Sequence, residues 1–179
     1  MCTTMIRYTA PIDPIDYLVI GHITQDQLKD GSILGGTATY SALTARSLGL
    51  RVGVVTACRQ DLDLSPLDGI AVTAIDSENN TTFQNIDTPK GRIQFLHHQA
   101  AILEPRMIPE TWQNTPIVHL GPVDQEIDPN IVRSFPDSFI GITPQGWLRE
   151  WDNNGKIKIG EWPEARFILE NVSAAVLSM

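Results

Sequence analysis

Apolar residues along this chain fall in short runs separated by turn chemistry, and residues 17–56 carry the most informative pattern. Tyr17-Leu18-Val19-Ile20 is an apolar run that stops at Gly21-His22-Ile23-Thr24-Gln25-Asp26. After Gly35-Gly36, residues 37–48 place Ala38, Ala42 and Ala45 three and four apart, which predicts a helix with a small-residue face and a stop at Gly49. Val52-Gly53-Val54-Val55-Thr56 then reads as a buried strand. Strand, diglycine-led helix and strand make a βαβ-type unit, which offers backbone amides and a carboxylate to a small polar ligand. Ligands in such sheets sit beyond the carboxyl ends of the strands, where Gly21, Thr56, Gly121 and Thr143 are expected.

The rest of the pattern extends this unit. Residues 26–34 are polar and suit a loop or short lid strands. Residues 59–69 are acidic and turn-rich, leaving little room for a crossover helix. From 70 to 101 the pattern turns to β, with runs at 70–75, 81–86 and 92–97 joined by Glu78-Asn79-Asn80 and Thr88-Pro89-Lys90-Gly91. Short strands follow at 117–121 and 139–142. Asp128-Pro129 starts a helix to about Phe135, with Asp as N-cap and Pro at the first helical position. A turn at 152–155 precedes a strand at 156–159, and a helix at 163–171 leads into Ala174-Ala175-Val176-Leu177-Ser178-Met179, a predicted buried parallel strand. The fold class is α/β, with a β-rich appendage on the sheet. A chain stopping on a strand leaves an edge to be covered, so a truncated domain is expected.

Composition narrows the function classes. A chain of 179 residues with 42% hydrophobic and 19% charged residues describes one globular domain. Its net charge of −8 argues against nucleic acid or an anionic membrane surface as partner. Cys2 and Cys58 form no C-x-x-C pair, which disfavours a disulfide framework or structural zinc and fits a cytoplasmic location. No apolar run has signal-peptide or membrane-spanning length.

Several residues carry candidate chemistry. Gly35-Gly36 allows close backbone approach to a ligand, or simply a tight turn into the helix. It is neither G-x-G-x-x-G nor a Walker A loop. Asp26 is either a solvated loop aspartate or an acceptor for two substrate hydroxyls, and the diglycine nine residues later favours binding. Adjacent His97 and His98 point to opposite faces of a strand and read as core or lid residues, not as joint metal ligands. His119 reads as a satisfied buried histidine, and Asp61, Asp63 and Asp68 as a solvated turn. Lys90-Gly91-Arg92 is an exposed turn or an anion contact, with the first favoured. Trp147, Trp151 and Trp162 are expected to cover a sheet face, with Gln145 and Arg149 at a pocket edge.

The segment 21–26, the Gly35-Gly36 helix start and Leu48-Gly49-Leu50-Arg51-Val52-Gly53-Val54-Val55-Thr56 together resemble the N-terminal part of the PfkB carbohydrate kinases, the ribokinase-like sugar and nucleoside kinases. Arg92-Ile93-Gln94-Phe95 is similar to the lid strand region, and Val176-Leu177-Ser178 to the strand before the family's Asn/Ser-Glu-x-Glu segment. The resemblance implies an incomplete ribokinase-like three-layer α/β/α sandwich with a small β-sheet lid. The whole of 1–179 would then be the N-terminal part of one domain, with lid strands from about 22–34 and 81–101. It further implies ATP as donor, magnesium, a hydroxymethyl group on a sugar or nucleoside as acceptor, and a possible homodimer through the lid.

By the same resemblance Asp26 holds sugar hydroxyls and the amides of Gly35 and Gly36 line the pocket. Tyr40 replaces an asparagine common in the family, which points to an altered pocket and stacking against a base. Gln94, Gln145 and Arg149 complete the expected substrate-binding set. Arg59-Gln60-Asp61 replaces the usual Gly-Asp. The family's Asp-Thr-x-Gly-Ala-Gly-Asp segment, with its anion hole and catalytic aspartate, has no counterpart in these residues. The expectation is an acceptor-binding half without the phosphoryl-transfer half, inactive alone and without a catalytic, ATP or metal site of its own. The alternative is a non-catalytic sugar- or nucleoside-binding remnant.

Overall fold

The computed structural model describes residues 5–89 and 91–177; Cys2, Lys90, Ser178 and Met179 therefore lie outside the described residues. Its first half contains β1 (Ile6–Tyr8), β2 (Tyr17–Ile20), β3 (Thr24–Leu28), β4 (Gly31–Gly35), α1 (Gly36–Ser47), β5 (Val52–Cys58), β6 (Ala71–Asp76), β7 (Thr82–Thr88) and β8 (Gly91–His98). The second half adds β9 (Ile117–Leu120), β10 (Phe139–Ile142), β11 (Arg149–Trp151), β12 (Ile157–Ile159), α2 (Ala165–Leu169) and β13 (Ala174–Ala175).

The central sheet has the order β1-β6-β5-β2-β9-β10-β13 and is parallel except for β1. Both faces of its middle strands are buried, which is why those strands read as unbroken apolar runs. Val19, Val52, Val54, Val72 and Ala74 face α1 and meet Ala38, Ala42 and Ala45. Leu18, Ile20, Val55, Val118, Leu120, Ile140 and Ile142 face the other way, onto Met107, Trp112, Ile131, Phe135 and Ile168. That second layer is built from short 3-10 turns and α2 instead of long helices. Trp112 is fully buried and donates its indole N–H to the Asp13 carbonyl at 2.9 Å.

A second sheet, β4-β3-β7-β8, forms the lid. Its strands follow β2 and β6 in the chain, and β3 and β7 pair in parallel.

Several elements depart from expectation. The run at 70–75 joins the central sheet as β6 and is not part of the hairpin block. The β5–β6 crossover has only a 3-10 turn, Ser65–Leu67, as the short spacing implied. Residues 128–135 hold a 3-10 helix, Pro129–Ser134, capped by Asp128 accepting the Asn130 amide at 2.8 Å. The β-branched pair Ile131-Val132 and Pro136 explain why it stays short. Thr56 lies inside β5, not at its end.

The last strand pairs in parallel with β10 but is exposed, and Val176 and Leu177 are 67% and 52% accessible. Among the described residues nothing covers that side of β9 and β10, so Ile117 and Phe139 are exposed too. His119 on this face is satisfied, with Tyr17 Oη 2.7 Å from Nδ1 and Thr143 Oγ1 3.1 Å from Nε2. Burial pulls its pKa down to about 4, so it is neutral at physiological pH. Trp147 and Trp162 stack at 5.2 Å against the core as expected, whereas Trp151 packs under the lid beside Phe83 and Leu96. No helix among the described residues is long and apolar enough to cross a membrane.

Burial therefore ranks the core positions. Trp112→Ala is expected to cost about 3–5 kcal/mol in urea denaturation, against less than about 0.5 kcal/mol for Phe139→Ala. Equal shifts in the two variants would contradict this packing.

Candidate functional site

Strand register decides which lid side chains share a face. Asp26 on β3 lies beside Phe83 on β7, Asn85 opposes Gln94, and Asp87 opposes Arg92 on β8. With a period of two, Thr24, Asp26, Phe83, Asn85, Arg92 and Gln94 therefore point to one side. That side looks down on the first turns of α1 and on the loops after β9 and β10. Together they enclose a cavity of about 490 Å³ that Gly36, Thr37, Tyr40, Ser41, Val123, Gln145 and Arg149 also line.

Six of the seven sequence-predicted residues thus meet in one place: Asp26, Gly36, Tyr40, Gln94, Gln145 and Arg149. Gly35 is the exception. It stands behind the wall, where an added Cβ would lie 2.7 Å from Asp26 Oδ2 and 2.9 Å from Thr24 Oγ1. Its contribution is close approach, which lets the aspartate sit against the helix start. Gly36 needs its positive φ of 83° and has the His22 carbonyl 2.6 Å from where a Cβ would be. Asp26 accepts the Thr24 hydroxyl on Oδ1 at 2.9 Å, which fixes the carboxylate's rotamer at the cavity wall. Gln94 donates to Asn85 at 2.9 Å across the hairpin.

A larger cavity, about 700 Å³, opens on the far side of the lid around Gln25, Leu34, Arg59, Asp61, Asp63 and Asn80. Its polar groups are already engaged with one another. Arg59 pairs with Asp61 at 2.8 Å, Asp63 accepts from Ser65, and Asn80 bridges the Arg59 amide and Gln25. The solvated-turn reading of Asp61 and Asp63 is correct. Chemistry therefore favours the smaller cavity. His97 and His98 are exposed lid residues, and Cys58 is a buried free thiol whose pKa burial raises.

Beneath the lid lies a group that the sequence reading missed. His22, Asp124 and Glu126 are all buried, with one ligating atom from each within 4.8 Å of the others. His22 Nε2 faces the Ala101 carbonyl at 2.9 Å and Nδ1 faces Thr81 Oγ1 at 2.7 Å. Thr81 in turn accepts the Ala100 amide and donates to Asp124 Oδ2 at 3.1 Å. Both ring nitrogens therefore act as donors, which is the imidazolium pattern. Burial opposes that charge, but the Asp124 contact and the nearby Glu126 raise the His22 pKa overall. Asp124 Oδ1 lies 3.2 Å from His22 Nδ1 without an aligned hydrogen bond, so charge holds that pair.

Glu126 gathers the amides of His22, Val123 and Asp124 at 2.8–3.1 Å. Those donors occupy both carboxylate oxygens, and magnesium requires open, oxygen-rich coordination. The cluster does not fit a magnesium site, and no step is derived through that ion. A strand-end position was the signal available for Asp124 and Glu126, since they follow β9 by a few residues.

No protein-family model matches this sequence, and no curated protein matches it significantly. Solved structures do. A pyrophosphate-dependent kinase in the ribokinase family, complexed with a pyrophosphate analog and myo-inositol, superposes with a TM-score of 0.75 at 21% identity, covering 90% of this chain and 60% of that one. The fold is ribokinase-like. A related pyrophosphate-dependent myo-inositol-1 kinase variant gives a TM-score of 0.73 at 19% identity over 90% of this chain and 59% of the other. Ribokinase from Arabidopsis thaliana, complexed with ribose and ATP, gives 0.63 at 13% identity over 92% of this chain. The chain spans about 60% of the length of each.

Two outcomes follow from this geometry. Gly35→Ala should displace Asp26 and cost roughly 1–3 kcal/mol in urea denaturation. An unchanged midpoint would show that Asp26 does not depend on the diglycine. The second concerns pH. Burial and the Asp124 charge push Glu126 up from 4.5 to about 7, so the folded state holds a proton that the unfolded state loses first. Stability from this group is complete below about pH 4.5 and is lost as pH rises toward 7. The raised His22 pKa continues the loss above 6.5. Thermal midpoints should fall across that window, and Glu126→Gln should flatten the acidic part. A midpoint rising from pH 5 to 7 would contradict the assignment.

Proposed function

We propose that this chain holds the acceptor site of a kinase that phosphorylates a hydroxymethyl or ring hydroxyl group of a sugar, polyol or nucleoside. The observation that carries the reading is the meeting of Asp26, Asn85, Gln94 and Gln145 with the α1 N-terminus in one lid-covered cavity. A carboxylate accepts hydrogen bonds from two neighbouring hydroxyls, and side-chain amides serve as either donor or acceptor. Helix-start amides add further donors. Closing the lid would exclude water that competes with the transferred group. Tyr40, 56% exposed at the cavity mouth, would stack on a base if the acceptor is a nucleoside.

Phosphoryl transfer requires an anion hole and a base placed on the acceptor hydroxyl. The sequence motif associated with both is absent from residues 1–179. We therefore assign transfer to residues outside this chain, with ATP and magnesium as the donor pair and pyrophosphate as a second donor to test. Pyrophosphate enters because two neighbours of high structural similarity carry it in their descriptions. Pairing of two copies through the lid belongs to the same proposal and would cover the exposed Leu28 and Ile33.

A non-catalytic sugar- or nucleoside-binding protein is the second reading, favoured by a cavity rich in acceptor-binding groups on a sequence that lacks the transfer motif among residues 1–179. An open reading frame beyond Met179 containing Gly-Ala-Gly-Asp would select the kinase.

Calorimetry with myo-inositol, ribose and adenosine tests the site. At least one is expected to bind, and Asp26→Asn should weaken it by about tenfold or more, the scale of a lost charge-assisted hydrogen bond. Undiminished binding removes Asp26 from the site. Turnover with ATP or pyrophosphate by residues 1–179 alone would overturn the division of labour.

A further inference from the structure

Among the described residues Arg149 is the cation lining this cavity that forms no ion pair. It opens β11 and lies with its Cζ 5.2 Å from the centre of the Phe83 ring. Its Nη1 donates to the Val123 carbonyl at 2.7 Å. Those two contacts hold the guanidinium, and the side chain lines the cavity. The side chain is half-buried, and burial lowers its pKa, opposed through space by Glu126, Asp124 and Asp26. None of these acids forms an ion pair with it among the described residues. Asp124 faces His22, and Glu126 is taken up by backbone amides. Arg92, the other cavity arginine, is paired with Asp87 at 3.1 Å on the exposed hairpin.

Asp26 and Arg149 therefore flank Phe83 from two sides, one an acceptor and the other a donor, without closing on each other. Glu126, Asp124 and Asp26 offset the burial of this guanidinium only through space, so a directly hydrogen-bonded oxyanion offsets it further than a neutral hydroxyl does. A planar oxyanion matches its fork with two parallel hydrogen bonds. Resting on the acceptor-site reading above, we propose that the natural acceptor is a polyhydroxylated molecule bearing an oxyanion, a carboxylate or a phosphate. Arg149 selects that group while Asp26 holds the hydroxyls at the other end. The two charges also fix the acceptor's direction, because a bound oxyanion is repelled from the Asp26 end.

The test is calorimetry on the chain as it stands, with matched pairs: D-glucose against D-glucuronate, and myo-inositol against myo-inositol 1-phosphate. Inorganic phosphate alone is the control for simple anion binding. One anionic member should bind about tenfold tighter than its neutral partner, the difference between charged and neutral hydrogen bonding. Which pair shows it separates carboxylate from phosphate. Arg149→Gln should bring that ratio to about one, and Arg149→Lys should restore only part of it, since charge returns without the fork. Thermal midpoints of both variants check folding, and the wild-type ratio stands even if a variant fails to fold. Neutral members binding as well as anionic ones would overturn the proposal and leave the acceptor-site reading intact. Binding of neither member of either pair would overturn both, and inorganic phosphate binding as tightly as the anionic polyols would reduce Arg149 to a general anion contact and overturn the proposal.

Discussion

The architecture depends on one buried carboxyl group. Glu126 draws the amide of His22, just past β2, toward those of Val123 and Asp124, just past β9. These amides would otherwise be orphan donors at strand ends in a site closed to water, each costing about 1–3 kcal/mol. The same junction reaches the lid, because His22 meets Thr81 at the base of β7 and Ala101 beyond β8. Sheet, loop and lid are therefore held at one point by charge and hydrogen bonding, where apolar packing alone would leave their relative placement loose.

The cavity takes its shape from that junction. The loop anchored by Glu126 presents the Val123 carbonyl, which holds Arg149. The lid anchored through Thr81 presents Asp26 and Phe83 through strand register. The helix start completes the enclosure only because two glycines let it approach β3 and the His22 carbonyl. Cavity-facing and structural groups lie within a few residues of each other in every wall. Asp26 faces the cavity while Gly35 stands behind it, and Thr24 lines the cavity whereas His22, two residues earlier, does not.

The layer opposite α1 shows how a parallel sheet can be covered without long helices. Trp112, Phe135, Trp147 and Ile168 come from separate short segments, yet all enter one core. Large aromatic side chains bury much area from little backbone, which suits 3-10 turns of three to six residues. On the α1 side the coverage extends over β2, β5 and β6 and leaves β9, β10 and β13 open among the described residues.

The sequence by itself determined the periodic elements. The alanine face of α1, the unbroken apolar strands and the hairpin turns follow from local rules, so the α/β sheet with a lid was legible in it. It also marked Asp26, the diglycine, Tyr40, Gln94, Gln145 and Arg149, partly through spacing and partly through resemblance. Asn85 and Phe83 were within reach of the same period-two argument. Only the tertiary structure decided that Asp124 and Glu126 meet His22 across about a hundred residues. It alone put Gly35 behind the wall, and it left the final strand exposed where the apolar pattern read as buried. The physical reason is common to all three. Periodicity reports which face of an element is apolar, whereas pairing, burial and charge neutralisation depend on what another part of the chain brings to that face.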